Sequence, residues 1–214
     1  MGKKHMRAKK ISDRRRRVIY ATRKAAWLLA IAAVVAILTV ADAMGLFGIA
    51  PPPDREKYHD KTFLVVNTVD GDTIDVDIPD GKWPHTRIRL WGVDTPETVH
   101  PNKSVQHFGP EASELTKKLC KGKMVRLEME PGKSPRGTEG RLLAWVYLPD
   151  GRLLNRVLVA EGYGYADPRF DHHLKNEFRR LQNRARKAGA GLWKDVRKND
   201  LPEYYHGKLK LPQH

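Results

Sequence analysis

The chain has 214 residues, of which 40% are hydrophobic and 30% are charged, and its formal net charge is +15. This length and composition favour one ordinary globular domain with additional segments. The single cysteine, Cys120, excludes an intrachain disulfide bond and a paired-cysteine metal site, and the excess of positive charge suits a polyanionic partner such as nucleic acid.

The N-terminal region divides into a basic leader and an apolar run. Residues 1–24 contain eleven Lys or Arg and one Asp, and they predict a basic cytoplasmic leader. The run from Ala25 to Ala41 has no charged residue. Residues 25–50 are therefore predicted to form a single transmembrane helix or signal anchor, because about 20 apolar residues span a bilayer. Basic flanks stay in the cytoplasm, so the rest of the chain is expected to be extracytoplasmic and anchored to the membrane through this helix.

A removable signal peptide is the alternative interpretation of this region. Ala41-Asp42-Ala43 has the small-x-small form of a cleavage site, and cleavage there predicts a secreted protein. The triple proline Pro51–Pro53 cannot continue a helix, and it opens a linker that is predicted over residues 51–60.

Residues 61–196 are predicted to form one domain of short strands and helices. Five stretches have the composition or alternation of strands: Thr62–Val69, Thr73–Ile78, Thr86–Trp91, Met124–Glu130 and Leu142–Leu148. Five short strands with turns between them favour a small barrel or sandwich. Three stretches have helical spacing: Pro110–Leu119, Leu153–Glu161 and His173–Ala188. Residues 197–214 are polar and mixed, and they predict a loosely held tail.

Two pairs of acidic residues stand at predicted strand ends in this basic chain. Asp70 and Asp72 flank a glycine, and Asp94 and Glu97 flank a Thr-Pro pair. Polar turns are one interpretation of both pairs. A site for a hard cation such as calcium or magnesium is the other, because such cations take carboxylate, carbonyl and water oxygens.

Two arginines accompany these acids. Arg89 lies on the predicted strand that leads to Asp94, and Arg141 opens a later strand. Each could be an ordinary surface charge. Together with the acids they form the set that a metal-dependent phosphodiesterase needs, because a guanidinium group donates to two phosphate oxygens and stays protonated.

Several segments resemble the staphylococcal nuclease (thermonuclease) family, and they follow that family's order over most of the domain. The matching segments are VDGDT (Val69–Thr73), RLWGVDTPE (Arg89–Glu97), HP (His100-Pro101), FGPEASELTKK (Phe108–Lys118), GRLLAWVY (Gly140–Tyr147), LNRVLVAEGYG (Leu154–Gly164) and GLW (Gly191–Trp193). The resemblance implies an α+β fold, namely an OB-fold five-stranded β-barrel with three α-helices, here preceded by the N-terminal transmembrane helix.

The resemblance also implies roles for the acids and arginines. Asp72 and Asp94 resemble the family's carboxylate ligands of calcium, and Thr95 resembles the residue whose carbonyl joins them. Asp70 resembles the acid behind this ligand set. Glu97 resembles the residue that orients the attacking water, and Arg89 and Arg141 resemble the two phosphate-binding arginines.

The chain departs from the family pattern in the loop before Arg141. The family usually has Asp-x-Tyr-Gly-Arg there, whereas this chain has Gly137 at the acid position and Glu139 at the tyrosine position. Substrate contacts on this loop are therefore in question. Tyr163 and Tyr165 are candidates for stacking on a base, although packing against the barrel is an equal alternative.

Taken together, the sequence predicts a calcium-dependent endonuclease that hydrolyses DNA and RNA, with single strands preferred. The alternative is a non-catalytic nucleic-acid-binding OB-fold module anchored to the membrane. DNA and RNA are the predicted partners, along with the membrane, and nothing in the sequence indicates an obligate protein partner.

Overall fold

A computed structural model describes residues 13–43, 53–98 and 105–206, and the chain divides into two compact units, Met1–Pro51 and Pro52–His214. The first unit contains one helix, α1 (Asp13–Ala43), which begins inside the basic leader rather than at residue 25. No helix among the described residues is long and apolar enough to cross a membrane. The transmembrane helix predicted over residues 25–50 is therefore not supported, and residues 44–50 lie outside the described residues.

The second unit is built on a closed five-stranded barrel, as the sequence predicts. Its strands are β1 (Lys61–Thr68), β2 (Thr73–Val76), β3 (Thr86–Leu90), β5 (Met124–Glu128) and β6 (Leu142–Tyr147), and they follow one another around the barrel in the order β1-β2-β3-β6-β5. All neighbouring pairs are antiparallel except β3 and β6, which are parallel with Arg89 opposite Leu143. A separate two-stranded ribbon pairs β4 (Val93–Asp94) with β7 (Tyr165–Ala166).

The three predicted helices are present in the domain. They are α3 (Gly109–Cys120), α4 (Leu154–Ala160) and α5 (Lys175–Lys187), each within two residues of its predicted bounds at either end. Their buried positions recur three or four residues apart, for example Phe178, Gln182 and Ala185 on α5, because one stripe of each helix packs on the rest of the domain.

The predicted linker over residues 51–60 belongs partly to the domain. Residues 54–58 form a short helix, α2 (Asp54–Tyr58), whose Tyr58 is fully buried and lies 2.9 Å from the Oγ1 of Thr86. Arg136 donates to both carboxylate oxygens of Asp54, at 2.7 Å each. Residues 54–58 of the predicted linker are therefore held by partners that lie far along the sequence.

The predicted loose tail also packs on the domain as far as residue 206. We call residues 198–206 the C-terminal segment; it contains two 3₁₀ turns, Lys198–Asp200 and Glu203–Tyr205. Leu201 and Tyr205 are buried in a second hydrophobic cluster with Trp193 and Tyr165. These apolar and aromatic residues hold the segment against the domain. The sequence did not predict this packing, because the average composition of the segment is polar. Residues 207–214 lie outside the described residues.

Candidate active site

The Asp70-Gly71-Asp72 turn joins β1 to β2 and packs against the loop after β4. The backbone N–H of Thr95 donates to Oδ2 of Asp72 (2.7 Å), and its hydroxyl donates to the same oxygen (3.2 Å). Asp70 accepts a hydrogen bond from the N–H of Asp72 (3.1 Å). A Cβ at Gly71 would lie 2.7 Å from Oγ1 of Thr95. Glycine at this position therefore allows the close approach that fixes Asp72.

Arg89 joins the two carboxylates that the sequence assigns to the metal. Its Nη1 lies 3.1 Å from Oδ2 of Asp72, and its Nη2 lies 2.8 Å from Oδ1 of Asp94. The side chain is 8% exposed, and Nη1 also donates to the carbonyls of Leu90 and Val93. Buried charges of this kind persist only when they are paired and hydrogen-bonded. The interpretation of Arg89 as a surface charge is therefore wrong.

The two carboxylates lie in surroundings that disfavour their ionised form. Burial raises the pKa of Asp72 to about 6, although the Arg89 guanidinium opposes this shift. Burial also raises the pKa of Asp94, again against the attraction of Arg89. A buried acid and a partly exposed one that share a single cation have an unmet demand for positive charge. An additional cation at this point would lower both pKa values.

The donor chemistry of this region fits a hard divalent cation. Asp72 and Asp94 supply carboxylate oxygens, the carbonyl of Thr95 is the proposed third donor, and the guanidinium of Arg89 already occupies the space between the acids as a positive group. Within the described residues, no three His, Cys, Asp or Glu side chains gather closely enough to hold a metal. The protein thus offers few ligands here, and water would complete the coordination, as is common for calcium and magnesium.

Glu97 follows Asp94 and Thr95 along the chain, in the segment after β4. Its Oε1 accepts a hydrogen bond from the backbone N–H of Thr98 (3.1 Å), and its own N–H donates to the side-chain oxygen of Gln106 (2.7 Å). These hydrogen bonds tie Glu97 to its own loop, which continues the chain from Asp94.

A cleft of about 460 Å³ brings the two predicted arginines together. Arg89 and Arg141 both line it, and so does a third arginine, Arg169. Arg169 was not predicted, because it follows β7 in a segment without a recognisable motif. Its guanidinium pairs with Asp167 and lies 3.4 Å from Oδ2 of Asp94. Three guanidinium groups on one cleft provide the charge and the geometry for a phosphate group.

Comparison with known proteins identifies the family of this chain. A family model described as staphylococcal nuclease homologue matches residues 87–195. The chain belongs to this family.

Relatives of this staphylococcal nuclease homologue include two thermonucleases. The one from Staphylococcus intermedius is 38% identical over 169 residues, which cover 78% of this chain and 94% of the relative. The one from Staphylococcus hyicus is 38% identical over 136 residues, covering 63% and 77% respectively. Endonuclease YncB of Bacillus subtilis is 37% identical over 127 residues, 58% of each chain. This chain is accordingly a nuclease, and therefore a hydrolase.

The loop before Arg141, which departs from the family pattern, contains an ion pair. Oε2 of Glu139 lies 2.8 Å from Nη2 of Arg141, and the Glu139 side chain is 70% exposed. Gly140 between them has a φ of 77°, which glycine adopts without strain. Glu139 therefore places a carboxylate at the guanidinium that a phosphate would have to reach.

The two tyrosines that the sequence offers for base stacking have different surroundings. Tyr165 is 2% exposed and makes an edge contact with Trp193, with ring centroids 5.4 Å apart. It is therefore part of the core, because pairing of β7 with β4 turns its ring inward, and its prediction as a substrate contact is wrong. Tyr163 is half-buried against Phe108, at 5.2 Å between centroids, and its role stays a prediction.

A third tyrosine, which the sequence assigned to the tail, does reach the acids. The hydroxyl of Tyr204 donates to Oδ2 of Asp94 at 2.7 Å. No sequence signal indicated this contact, because 110 residues separate the two partners.

Proposed function

We propose that this staphylococcal nuclease homologue is a calcium-dependent endonuclease that hydrolyses the phosphodiester bonds of DNA and RNA. The observation that supports the proposal most directly is the buried arrangement of Asp72, Arg89 and Asp94, with Arg89 also lining the cleft that contains Arg141. Carboxylate oxygens suit a hard cation, and guanidinium groups suit phosphate oxygens. Few functions other than phosphodiester chemistry require both at one place.

Each residue has a distinct part in the proposed reaction. Asp72, Asp94 and the carbonyl of Thr95 would hold the cation, which would offset negative charge that develops on the phosphate. Arg89 and Arg141 bind the oxygens of the phosphate under attack. Water forms the new phosphorus–oxygen bond, the bond to the 5′ oxygen breaks, and that oxygen takes up a proton. The products are a 3′-phosphate and a 5′-hydroxyl.

We assign the orientation of the attacking water to Glu97. Glutamate carboxylates are weak bases at neutral pH, so holding the water in line contributes more than removal of its proton. The adjacent position of Glu97 on the Asp94 loop supports this assignment, and its carboxylate already accepts one hydrogen bond from Thr98. The open cleft favours flexible strands over a duplex, because single strands can follow a basic groove.

Nucleotide release from heat-denatured DNA tests the activity. The purified full-length chain should release acid-soluble nucleotides in millimolar calcium and none with a chelator. Glu97→Gln should reduce turnover by about 100-fold or more, because positioned acid–base groups contribute that much, and should leave DNA binding unchanged. Glu111→Gln is a matched control, because Glu111 is exposed on α3. Absence of any release by the wild-type chain would refute the proposal.

The alternative of a non-catalytic nucleic-acid-binding module is not supported, because the family model and the thermonuclease and endonuclease relatives indicate a nuclease. The ion pair between Glu139 and Arg141 is instead expected to weaken phosphate binding, because the carboxylate competes for that guanidinium group.

We also propose that the domain acts outside the cytoplasm. The basic residues before the apolar run and the small-x-small sequence Ala41-Asp42-Ala43 have the form of an export signal, and they support this proposal. Fractionation of cells that express the full-length chain tests it, and the mass of the mature protein shows whether residues near Ala43 are the new N-terminus. Recovery of the whole chain from the cytoplasm would contradict the proposal.

A further inference from the structure

The C-terminal segment reaches the acid pair through one side chain. Oη of Tyr204 donates to Oδ2 of Asp94 (2.7 Å), while Oδ1 of the same carboxylate accepts from Arg89 (2.8 Å). The guanidinium of Arg169 lies over the Tyr204 ring, 4.4 Å from its centroid. Each carboxylate oxygen of Asp94 thus accepts a hydrogen bond. One donor lies five residues before Asp94 and the other 110 residues after it.

Tyr204 is fixed by its neighbours independently of Asp94. Tyr205 is 8% exposed. Its hydroxyl donates a hydrogen bond to the carbonyl of Ala166 and accepts one from Nε2 of Gln182. Leu201 is 5% exposed on the preceding turn. The buried side chains of Leu201 and Tyr205 flank Tyr204 in the sequence. Their packing fixes the backbone of the segment and so places the Tyr204 hydroxyl next to Asp94.

We propose that Tyr204 is a positioning residue for the cation site, holding the Asp94 carboxylate in the orientation that binds the metal. The inference rests on the calcium-dependent function proposed above. Hydrogen bonds to ligating carboxylates fix their orientation, and loss of such partners typically weakens metal binding by about 10- to 100-fold. A neutral phenol suits this task, because it orients the carboxylate without adding a second positive charge to compete with the cation.

The ordinary chemistry of a phenol agrees with a donating hydroxyl. A tyrosine hydroxyl ionises only at about pH 10 in water. The phenol therefore stays protonated and can donate throughout the neutral range. The same contact joins the C-terminal segment to the candidate active site through Tyr204 and Asp94.

Tyr204→Phe tests this role, because it removes the hydroxyl and keeps the ring that stacks with Arg169. Isothermal titration with calcium alone should show roughly 10-fold weaker binding than the wild type. Turnover of denatured DNA should fall at low calcium and return to near the wild-type value at saturating calcium. Thermal unfolding of both chains in chelator shows whether the variant keeps the wild-type stability, so that a loss of calcium affinity is not mistaken for damage to the fold. Tyr147→Phe is the matched control, since Tyr147 lies on β6 and should leave calcium affinity unchanged.

The outcomes separate this inference from the proposed function. If the wild-type chain cuts DNA with calcium and Tyr204→Phe binds calcium equally well, the positioning role is refuted and the nuclease function stands. Tighter calcium binding by the variant would also refute it, because the phenol would then compete with the metal. If the wild-type chain neither binds calcium nor cuts DNA, the proposed function fails and this inference fails with it.

Discussion

Replacement of Arg89 by methionine should destabilise the domain strongly in the absence of calcium. The side chain is 8% exposed and its guanidinium contacts the carboxylates of both Asp72 and Asp94. Methionine keeps much of the volume but leaves two buried acids without their cation. Removing one partner of a buried pair typically costs about 3–5 kcal/mol, and we take 3 kcal/mol as the expected loss of unfolding free energy, because the acids can partly respond by binding protons.

Thermal unfolding monitored by circular dichroism measures this loss. For a domain of this size, each kcal/mol corresponds to about 2–4 °C, so a chelator-treated Arg89→Met variant should unfold at least 6 °C below the wild type, as a rough expectation. Arg156→Met is the control, because Arg156 forms an exposed pair with Glu177 (2.7 Å), and such pairs contribute less than about 1 kcal/mol.

Calcium should then restore part of the lost stability. A ligand at 100 times its dissociation constant stabilises a protein by about 2.7 kcal/mol, and the variant should gain more than the wild type because its acids lack a competing cation. A deficit below about 1 kcal/mol in chelator would refute the buried ion-pair argument. An equal gap with and without calcium would refute the proposal that Asp72 and Asp94 bind the cation.

Three further changes probe other parts of the domain. Glu139→Gln should lower the KM for single-stranded DNA by up to about 5-fold in steady-state assays, because it frees Arg141 from an exposed ion pair; an increased KM would contradict this. Asn155→Ala should cost about 3 kcal/mol in urea unfolding, because the buried amide makes three hydrogen bonds to backbone groups; a loss under 1 kcal/mol would contradict this estimate. His172→Gln should flatten the loss of stability between pH 6.5 and pH 4, measured as Tm in a buffer series, because burial lowers the pKa of His172 to about 4. The unfolded chain binds this proton at higher pH than the folded chain, so the wild type loses up to about 3 kcal/mol as the pH falls through that window, and an unchanged slope would contradict it.

The barrel could be predicted because its strands carry a local signal. In β3, Thr86, Ile88 and Leu90 are fully buried and alternate with Arg87 and Arg89. A period of two identifies such a strand and its inner face. It does not show what covers the outer face. Arg89 is buried there because β4 contacts its guanidinium group through the carbonyl of Val93 and the carboxylate of Asp94, whereas Arg87 remains exposed.

The site was predictable where the family's motifs lie and unpredictable where distant segments meet it. Asp72, Asp94 and Arg89 lie within such motifs and come together in the structure. Arg169 and Tyr204 have no motif, and each reaches Asp94 only through the tertiary fold. Average polarity also misassigned the C-terminal segment, because a few buried side chains are enough to hold a short chain segment in place.

The charge of the buried group suggests how the proposed metal and substrate sites depend on each other. With both acids ionised, Asp72, Asp94 and Arg89 together carry one net negative charge, which repels a phosphate in a site of low dielectric constant. A divalent cation would change the net charge of this group from −1 to +1. Arg89 would then no longer be the only group that neutralises the two carboxylates. The guanidinium can then donate to phosphate oxygens at smaller cost. We therefore expect cation binding to create the phosphate affinity of the site, so that Arg89 stabilises the fold without the metal and contributes to catalysis with it.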